Sequence, residues 1–416
     1  MRRWVRLKCI NIQTNSPLHS IPHSTRPMAK TDILNLPVAI IGAGIGGLAS
    51  AHALGQLGIV AHVFEQAPAF KRLGAGIQMG PNATRVLQGF GLADHLKDSA
   101  FEPRTNLNRV WDTGDVSNEF PLLGHAMEKY GAPFYALHRG DLHAALNRLV
   151  PSSQIHLNKK LLSWQQENQN VMLTFEDGTR VCAQAVIGAD GVHSLIRDTL
   201  LGPEEPRFTG KIAYRTTFPA SRLAGVDIGQ SRTKWWGEDR HIVIYYVTRQ
   251  QDEIYFVTSQ PEDASWTTKE SWSAKGDLSA LREAYAGFHP DVQAVLAACP
   301  EVHKWALYER DPLAKWCEGS VLLMGDACHP MTPYMAQGAA MALEDSVVLA
   351  RIMAQADTKD WPQAFKLFEQ CRKPRASMIQ KASSANQWMQ KKTNPDWVYG
   401  YNAWKVPLVP DLQDAT

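Results

Sequence analysis

The amino-acid sequence predicts an α/β fold with a Rossmann-like domain, an inserted domain built on an antiparallel sheet, and C-terminal helices. Three observations predict this fold class. Residues 38–41 form an apolar run that ends in a glycine-rich turn, and residues 47–57 then show helical spacing. Residues 59–64 have the pattern of a second strand, which completes a β–α–β unit. Alternating apolar and polar residues between 206 and 260 indicate another sheet with one covered face.

The composition excludes several classes of protein. The chain has 416 residues, which favours two packed domains, and its formal net charge is only +2. Because no basic stripe alternates with aromatic residues, nucleic acid is not expected as a partner. No apolar run reaches about 18 residues, so no membrane span is expected. The six cysteines form no C-x-x-C pair, which predicts reduced thiols and neither a disulfide framework nor a metal site.

The N-terminal segment is basic and has no acidic residue before Asp32. Its basic residues are Arg2, Arg3, Arg6, Lys8, Arg26 and Lys30. Two interpretations are open: a targeting peptide, or an unstructured tail upstream of a start at Met28. Residues 1–36 are therefore predicted to be a disordered or targeting tail. The expected location is the cytoplasm, with an organelle as the alternative.

The order of the remaining patterns predicts a discontinuous nucleotide-binding domain. Apolar strands that end in glycine recur near residues 185–187 and 321–324. Residues 155–157, 171–175 and 180–187 are predicted to form an antiparallel meander with a tight turn at Asp177-Gly178. Helices are expected over 278–299, 339–354 and 361–391. The predicted division assigns 37–105, 133–205 and 300–355 to the nucleotide-binding domain, 106–132 and 206–299 to the substrate-binding domain, and 356–416 to the C-terminal helices.

The first motif that carries chemistry is the turn Gly42-Ala-Gly44-Ile-Gly46-Gly47. Gly42 permits the tight turn, Gly44 lets the backbone approach a pyrophosphate, and Gly47 lets the helix pack on the strand. The N-terminus of that helix offers free N–H groups to phosphates. Glu65, followed by Gln66, closes the next strand, where a carboxylate can accept both ribose hydroxyls of an adenosine. This motif alone fits FAD and NAD equally.

Two further motifs follow apolar strands later in the chain. Their residues are Asp190 and Gly191, and then Gly325, Asp326, Pro333, Gly338 and Ala339. A carboxylate just past a buried strand is well placed to bind ribityl hydroxyls. Small residues that open a helix can bring N–H groups to the electron-rich edge of a flavin. Each motif alone could be a turn and a helix cap, but their order after a dinucleotide motif favours FAD.

Over residues 37–405 the chain resembles the group A flavoprotein monooxygenases, single-component aromatic hydroxylases with a para-hydroxybenzoate-hydroxylase-like fold. The resemblance implies that the glycine-rich turn and Glu65 hold the ADP part of FAD, and that Asp326 holds the ribityl chain. It also implies that the Asp190-Gly191 motif takes part in binding FAD and NAD(P)H. Arg139 is expected to reach the phosphate or ribityl region, with a salt bridge to Asp141 as the alternative.

Within this family the chain resembles the 6-hydroxynicotinate 3-monooxygenases first and the salicylate 1-hydroxylases next. Segments 64–77, 234–246, 325–338 and 397–401 carry this resemblance. His241 and Tyr245 match pocket residues of the first group. Gln78, expected beside the flavin, and Tyr334 stand where that group has histidines, and Arg232 stands where it has a cysteine.

These departures leave the general base and the ring substrate open. A glutamine cannot act as a base, so proton removal would fall to His241, Tyr245, Tyr334 or water. His241 and Tyr245 lie four apart on a predicted strand and therefore share a face, although Tyr245 could also be a core residue. Arg232 could clamp a carboxylate or be a solvated loop charge.

The resemblance implies an enzyme that uses NADH or NADPH as a transient co-substrate together with O₂. It implies hydroxylation of a small hydroxylated aromatic or pyridine carboxylic acid through a flavin C4a-hydroperoxide, with loss of CO₂ where the attacked carbon bears the carboxylate. One alternative is hydroxybenzoate-type hydroxylation without decarboxylation, and another is a flavin-binding redox protein that no longer hydroxylates. The two extra flavin motifs argue against an NAD-dependent dehydrogenase. Either a monomer or a homodimer is expected.

Overall fold

The computed structural model describes residues 33–408, except 73, 264–273, 356–359, 389 and 391–392. Residues 1–32 of the predicted tail lie outside the described residues. Residues 33–36, which the prediction also assigns to the tail, instead begin the first strand. The reason is that this segment pairs in parallel with a later strand, from Ile33 opposite Arg180 to Leu36 opposite Ala183.

Among the described residues, the strands in chain order are β1 (Ile33–Ile41), β2 (Ala61–Phe64), β3 (Gly76–Met79), β4 (Thr105–Val110), β5 (Val116–Pro121), β6 (Tyr135–His138), β7 (Ile155–His156), β8 (Leu161–Glu167), β9 (Asn170–Phe175), β10 (Arg180–Gly188), β11 (Arg207–Pro219), β12 (Arg232–Trp236), β13 (His241–Tyr246), β14 (Glu253–Pro261), β15 (His303–Glu309), β16 (Cys317–Glu318) and β17 (Val321–Leu323).

The α-helices of the same residues are α1 (Ile45–Gly55), α2 (Pro81–Gly89), α3 (Ala93–Ser99), α4 (His125–Tyr130), α5 (Arg139–Arg148), α6 (Leu195–Leu201), α7 (Leu278–Ala284), α8 (Pro290–Ala298), α9 (Gly338–Gln355), α10 (Trp361–Ser384) and α11 (Asp396–Tyr399). Within the described residues, none of them combines the length and the apolar character that a membrane crossing requires.

The first sheet brings the three predicted motifs together. Its strand order is β16-β17-β10-β1-β2-β7, with β9 and β8 continuing antiparallel from β10. β1 pairs in parallel with β2 and β10, and β10 pairs in parallel with β17. Residues 38–41 of β1 and 185–188 of β10 are buried, as is typical of parallel strands that are covered on both faces. The carboxyl ends of β1, β10 and β17 therefore meet at one edge, and each is followed by one motif.

The predicted meander differs from the observed one in one strand. β7 pairs in parallel with β2, so it belongs to the edge of the first sheet. The meander consists of β8, β9 and β10, and Gly178 adopts a φ of +84° at its second turn. β8 is missing from the prediction because most of its side chains are exposed and polar, which weakens the apolar alternation.

The second sheet has the order β15-β11-β14-β13-β12-β4-β5. Successive side chains of a strand point to opposite faces. One face is apolar, and its Ile242 and Ile244 pack in the same cluster as Leu281 of α7 and Val292 of α8. The other face, which includes Tyr245, borders a cavity that reaches the first sheet. This sheet therefore separates a core from a candidate site.

Two boundaries in this region differ from the prediction. β15 pairs with β11, so residues 303–309 join the second sheet although the prediction places 300–355 in the nucleotide-binding domain. The helix expected over 278–299 is divided into α7 and α8. Pro290 begins α8, and the residue before a proline disfavours helical dihedrals, so His289 is extended and caps the second helix.

Four charged side chains are enclosed where α9 and α10 pack together. Arg372 pairs with Asp345 at 2.8 Å and with Glu344 at 2.9 Å, and Arg375 pairs with Glu344 at 2.8 Å. Asn82 of α2 donates a further hydrogen bond to Glu344 at 2.8 Å. Because a buried charge is tolerated only when it is paired, this network makes the three helices depend on one another.

Replacing Glu344 with glutamine should therefore destabilise the protein. Glu344→Gln keeps the shape of the side chain but leaves Arg375 buried without its carboxylate, so we expect a loss of about 3 to 5 kcal/mol in the free energy of unfolding. Urea unfolding followed by circular dichroism measures it. Glu318→Gln, in an exposed pair with Lys315, is the control and should leave the free energy of unfolding nearly unchanged. Equal stability of the two variants would contradict the role of the network.

Candidate active site

A cavity of about 800 Å³ lies at the edge of the first sheet and extends to the polar face of the second. Its size suits an extended organic cofactor. Every residue predicted to bind the cofactor lines it, with the exception of Gly47. These residues are Gly42, Gly44, Gly46, Glu65, Gln66, Gln78, Arg139, Asp190, Gly191, Asp326, Pro333, Gly338 and Ala339.

The glycine-rich turn has no room for side chains at two positions. Gly42 has a φ of +101°, and a Cβ there would lie 2.3 Å from the carbonyl oxygen of Ala189. A Cβ on Gly47 would lie 2.0 Å from the carbonyl oxygen of Gly42, which is why Gly47 packs in the turn and does not face the cavity. Gly44 caps α1 without a side-chain hydrogen bond, so the first N–H groups of α1 remain available to phosphate oxygens.

Glu65 is held in place by the backbone on both sides of it. Its Oε2 accepts a hydrogen bond from the N–H of Ala43 at 2.9 Å, and its Oε1 accepts one from the N–H of Ala67 at 2.8 Å. Each carboxylate oxygen has a second lone pair. The arrangement links the glycine-rich turn to the end of β2 and presents the carboxylate to the cavity, as binding of a ribose requires.

Arg139 and Asp326 both face the cavity, and the surrounding protein encloses them. Burial lowers the pKa of Arg139 and raises the pKa of Asp326, and the attraction between the two charges opposes each shift. The alternative of a salt bridge between Arg139 and Asp141 is wrong, because Asp141 pairs with Arg72 at 2.9 Å. Arg139 is thus available to a ligand beside Asp326.

Asp190 is more constrained than the sequence suggests. Its Oδ1 accepts a hydrogen bond from the Ser194 hydroxyl at 2.6 Å, and its Oδ2 accepts one from the N–H of Ile196 at 3.2 Å. Burial raises the pKa of the carboxyl, and these hydrogen bonds oppose the shift. The carboxylate therefore fixes the start of α6, while the adjoining Gly191, at a φ of +76°, lines the cavity.

The turn after β17 is supported from behind. Asp345 accepts hydrogen bonds from the Nε2 atom of His329 at 2.7 Å and from the N–H of Gly325 at 3.3 Å. His329 thereby holds this loop against α9. Gly338 begins α9 at the cavity, with Ala339 next to it, so the N-terminus of this helix points its dipole into the space beside Pro333.

Tyr245 and Gln78 meet at the wall where the large cavity reaches the second sheet. Tyr245 lies on β13, is 1% exposed, and has the side chain of Gln78 of β3 beside its hydroxyl. Burial raises its pKa well above that of an ordinary phenol, so the hydroxyl remains protonated at neutral pH. Tyr245 also packs in the apolar cluster of the second sheet, so it combines the two roles that the sequence offered, pocket wall and core residue.

His241 and Tyr334 form a second layer beside this wall. Their ring centroids are 5.7 Å apart, and the Tyr334 hydroxyl lies 3.0 Å from the Ser259 hydroxyl. Burial and neighbouring cations lower the pKa of His241 well below the usual value, so its ring is neutral near pH 7. Tyr334 lines a small second cavity, whereas His241 lines neither this cavity nor the large one.

Three residues of this wall are not predicted from the sequence. Arg215, Tyr255 and Trp305 line the large cavity, and the Arg215 guanidinium lies 4.2 Å from the centroid of the Trp305 ring. Burial lowers the pKa of Arg215 to about 10 and raises that of Tyr255 to about 12. The register of β11, β13 and β14 places Arg215 and Tyr255 on the face of Tyr245. Once the strand register is known, the alternation of side chains between the two faces of the sheet identifies the residues that face the cavity.

Comparison with known proteins decides the family. Residues 35–383 match the sequence model of the family described as FAD binding domain. The chain belongs to this family. It is 44% identical over 374 residues to 6-hydroxynicotinate 3-monooxygenase of Bordetella bronchiseptica, which covers 89% of this chain and 97% of that protein. It is 31% identical over 376 residues to salicylate hydroxylase of Pseudomonas putida, covering 85% of this chain and 86% of that one.

The fold of this FAD-binding family member is also found among solved structures. HpxO of Klebsiella pneumoniae, in complex with FAD and uric acid, matches with a TM-score of 0.75 and 26% identity over 87% of this chain and 90% of that chain. The predicted fold class and the predicted FAD cofactor are confirmed. The chain is an FAD-dependent aromatic monooxygenase.

The cavity residues fit FAD by their chemistry. A turn without side chains and an uncapped helix end suit the pyrophosphate, and a carboxylate held by two backbone N–H groups suits the adenosine ribose. At the other end of the cavity, Asp326 suits ribityl hydroxyls and the N-terminus of α9 suits an electron-rich ring edge.

We expect Asp326→Ala to lose flavin. The substitution removes a carboxylate that can accept hydrogen bonds from hydroxyls, and such charged hydrogen bonds are worth about 1.5 to 3 kcal/mol, so FAD should bind about 10- to 100-fold more weakly. The flavin content after gel filtration and a titration of the apoprotein with FAD measure the effect. Asp98→Ala, at an exposed acid on α3, is the control. Full flavin occupancy of Asp326→Ala would remove this residue from the site.

Proposed function

We propose that this monooxygenase hydroxylates a small pyridine or benzene carboxylic acid that carries a ring hydroxyl, with NADH or NADPH as reductant and O₂ as oxidant. The observation that carries the proposal is the contact of Tyr245 with Gln78 at the end of the cofactor cavity. Two neutral hydrogen-bonding groups there suit the oxygen of a hydroxylated ring. The relatives named for 6-hydroxynicotinate and salicylate support the same class of substrate.

The chemistry that bound FAD supplies is hydride acceptance from NADH or NADPH and activation of O₂. The protein has to bind and orient the ring. The protonated hydroxyl of Tyr245 is suited to donate a hydrogen bond to an ionised ring oxygen, which favours the electron-rich form of the ring. Gln78 can complete this contact but cannot take the proton, because an amide is not a base.

The wall around the ring also excludes water. Tyr245, Tyr255 and Tyr334 are each less than a tenth exposed, and the second sheet behind them is covered by α7 and α8. A dry cavity prevents the activated oxygen from being lost to water. His241 lies next to Tyr334, and its lowered pKa makes it a neutral and weakly basic neighbour of the wall.

Loss of CO₂ is part of the proposal where the attacked carbon bears the carboxylate, in keeping with the hydroxynicotinate relatives. Hydroxylation without decarboxylation is the second candidate, because Gln78, Arg232 and Tyr334 depart from the residues expected of those relatives. Location in the cytoplasm and the choice between monomer and homodimer stay predictions.

A substrate screen tests the proposed function. Purified protein loaded with FAD is incubated with NADH or NADPH and a panel of hydroxylated pyridine and benzene carboxylic acids. We expect at least one acid to stimulate NAD(P)H oxidation and to yield a product of the mass expected for hydroxylation, with or without loss of CO₂. If every acid gave only hydrogen peroxide in amounts equal to the NAD(P)H consumed, the chain would be a flavin oxidase and the proposal would be wrong.

Tyr245→Phe should uncouple the reaction while FAD remains bound. The variant keeps the ring packing but loses one hydrogen bond, worth about 1 to 1.5 kcal/mol, so product formation should fall by about tenfold. The ratio of product to NAD(P)H consumed is measured. Tyr246→Phe is the matched control, because the next residue along β13 lies on the opposite, apolar face. If both variants remained fully coupled, Tyr245 would have no part in binding the ring.

A further inference from the structure

The small cavity beside the tyrosine wall contains one charged side chain. Arg232 begins β12 and is 8% exposed, so the alternative of a solvated loop charge is wrong. It lines this cavity of about 10 Å³ together with Asn106 and Tyr334. Gln78 lines both cavities, which makes them neighbours. The enclosed space next to Arg232 holds about one water-sized group, so a larger group reaches the guanidinium from the large cavity, where the two cavities adjoin.

The Arg232 guanidinium has unused donors. Its Nη1 donates a hydrogen bond to Oδ1 of Asn106 at 2.6 Å, which fixes the orientation of the plane. Its Nε is buried and has no acceptor among the described residues. A guanidinium carries five N–H donors in a fixed fork, and the Nε and Nη2 edge presents two parallel N–H groups. That edge is complementary to an acceptor with two coplanar oxygens.

Among the described residues, no acidic residue balances this charge. Arg232 has no Asp or Glu among its charged neighbours there, and none lines the small cavity. Lys234, two residues along the same face, is 2% exposed, with its Nζ 3.5 Å from the centroid of the Trp236 ring. Burial lowers the pKa of both Arg232 and Lys234. Since a buried cation without a counter-ion is unfavourable, an anionic ligand would complete this cluster.

We propose that Arg232 is the specificity-determining residue of this enzyme and binds the carboxylate of the ring substrate through Nε and Nη2. Asn106 is a positioning residue: its side-chain oxygen fixes the orientation of the guanidinium, and its amide carries no charge that could pair with the carboxylate. The inference rests on the proposed function, which supplies the class of ring substrate. It adds that the enzyme selects this ring by its carboxylate.

The arrangement distinguishes the carboxylate from the ring hydroxyl. A planar carboxylate can accept from two parallel N–H groups at once, whereas a phenolate oxygen accepts at a single point. The ring hydroxyl already has suitable partners in Tyr245 and Gln78 at the wall of the large cavity. A ring bound between the two places therefore has its hydroxyl at Tyr245 and its carboxylate at Arg232.

A binding experiment without NAD(P)H tests the inference apart from turnover. Wild-type protein loaded with FAD is titrated with 6-hydroxynicotinate, salicylate, 3-hydroxybenzoate and the carboxamide of each, and the change in flavin absorbance reports binding. We expect at least one acid to bind about 100-fold more tightly than its carboxamide. In Arg232→Met the affinity for that acid should fall by about 100-fold, while the affinity for the carboxamide stays within about twofold.

Two further variants keep the experiment decisive. Arg232→Lys retains the charge but loses the fork, so the affinity for the acid should fall by about tenfold and that for the carboxamide should not change. Arg240→Met is the matched control: this arginine pairs with Asp239, lies outside both cavities, and should leave the acid-to-carboxamide ratio as in the wild type.

The result that overturns the inference is an unchanged acid-to-carboxamide ratio in the Arg232 variants that retain FAD. Arg232→Lys carries this test if Arg232→Met fails to retain the cofactor. Absence of acid binding across the whole panel would overturn it as well. A different result, acid binding that depends on Arg232 but gives no hydroxylated product with NAD(P)H, would contradict the proposed function and leave the carboxylate site standing.

Discussion

Two adjacent carboxylates on α9 hold the cofactor side of the molecule to its C-terminal helices. Asp345 accepts hydrogen bonds from His329 and from the N–H of Gly325, at the turn that leads into the cavity. Glu344 accepts one from Asn82, which also donates to the side chain of the residue just before α9. Both carboxylates are neutralised by arginines of α10, and removing one charge would leave the others buried and unpaired. The cavity wall is therefore shaped by groups that lie behind it.

The second sheet also ties the cavity wall to packed groups behind it, because one face of the sheet borders the cavity and the other packs against α7 and α8. Tyr245 and Tyr246 are neighbours on β13 and both are buried, yet only Tyr245 of the two lines the large cavity. The period of two in a strand makes this possible without any loop at the ring-binding wall. A wall that shares its backbone with a packed core has little freedom to move, which suits the orientation of a small ring.

The electrostatics of the wall favour hydrogen bonding over proton abstraction. Burial raises the pKa of Tyr245 and lowers the pKa of His241, so both are neutral at working pH. Gln78, in the place where the related enzymes are expected to have a histidine, adds another neutral group. Positive charge comes instead from Arg215 on the wall of the large cavity and from Arg232 on the strand next to β13. The site thus divides its work between neutral contacts for the ring oxygen and a cation for the acid group.

The sequence alone was enough for the cofactor and the order of the main elements, because the glycine-rich turn and the apolar strands are local patterns whose chemistry lies in adjacent residues. It also determined that Tyr245 shares a face with His241. Only the tertiary structure decided that Asp190 is engaged by α6, that β15 joins the second sheet, and that Arg232 is buried with donors to spare. Those outcomes depend on strand register and on which faces pack together, and both are set by contacts between residues far apart in the chain.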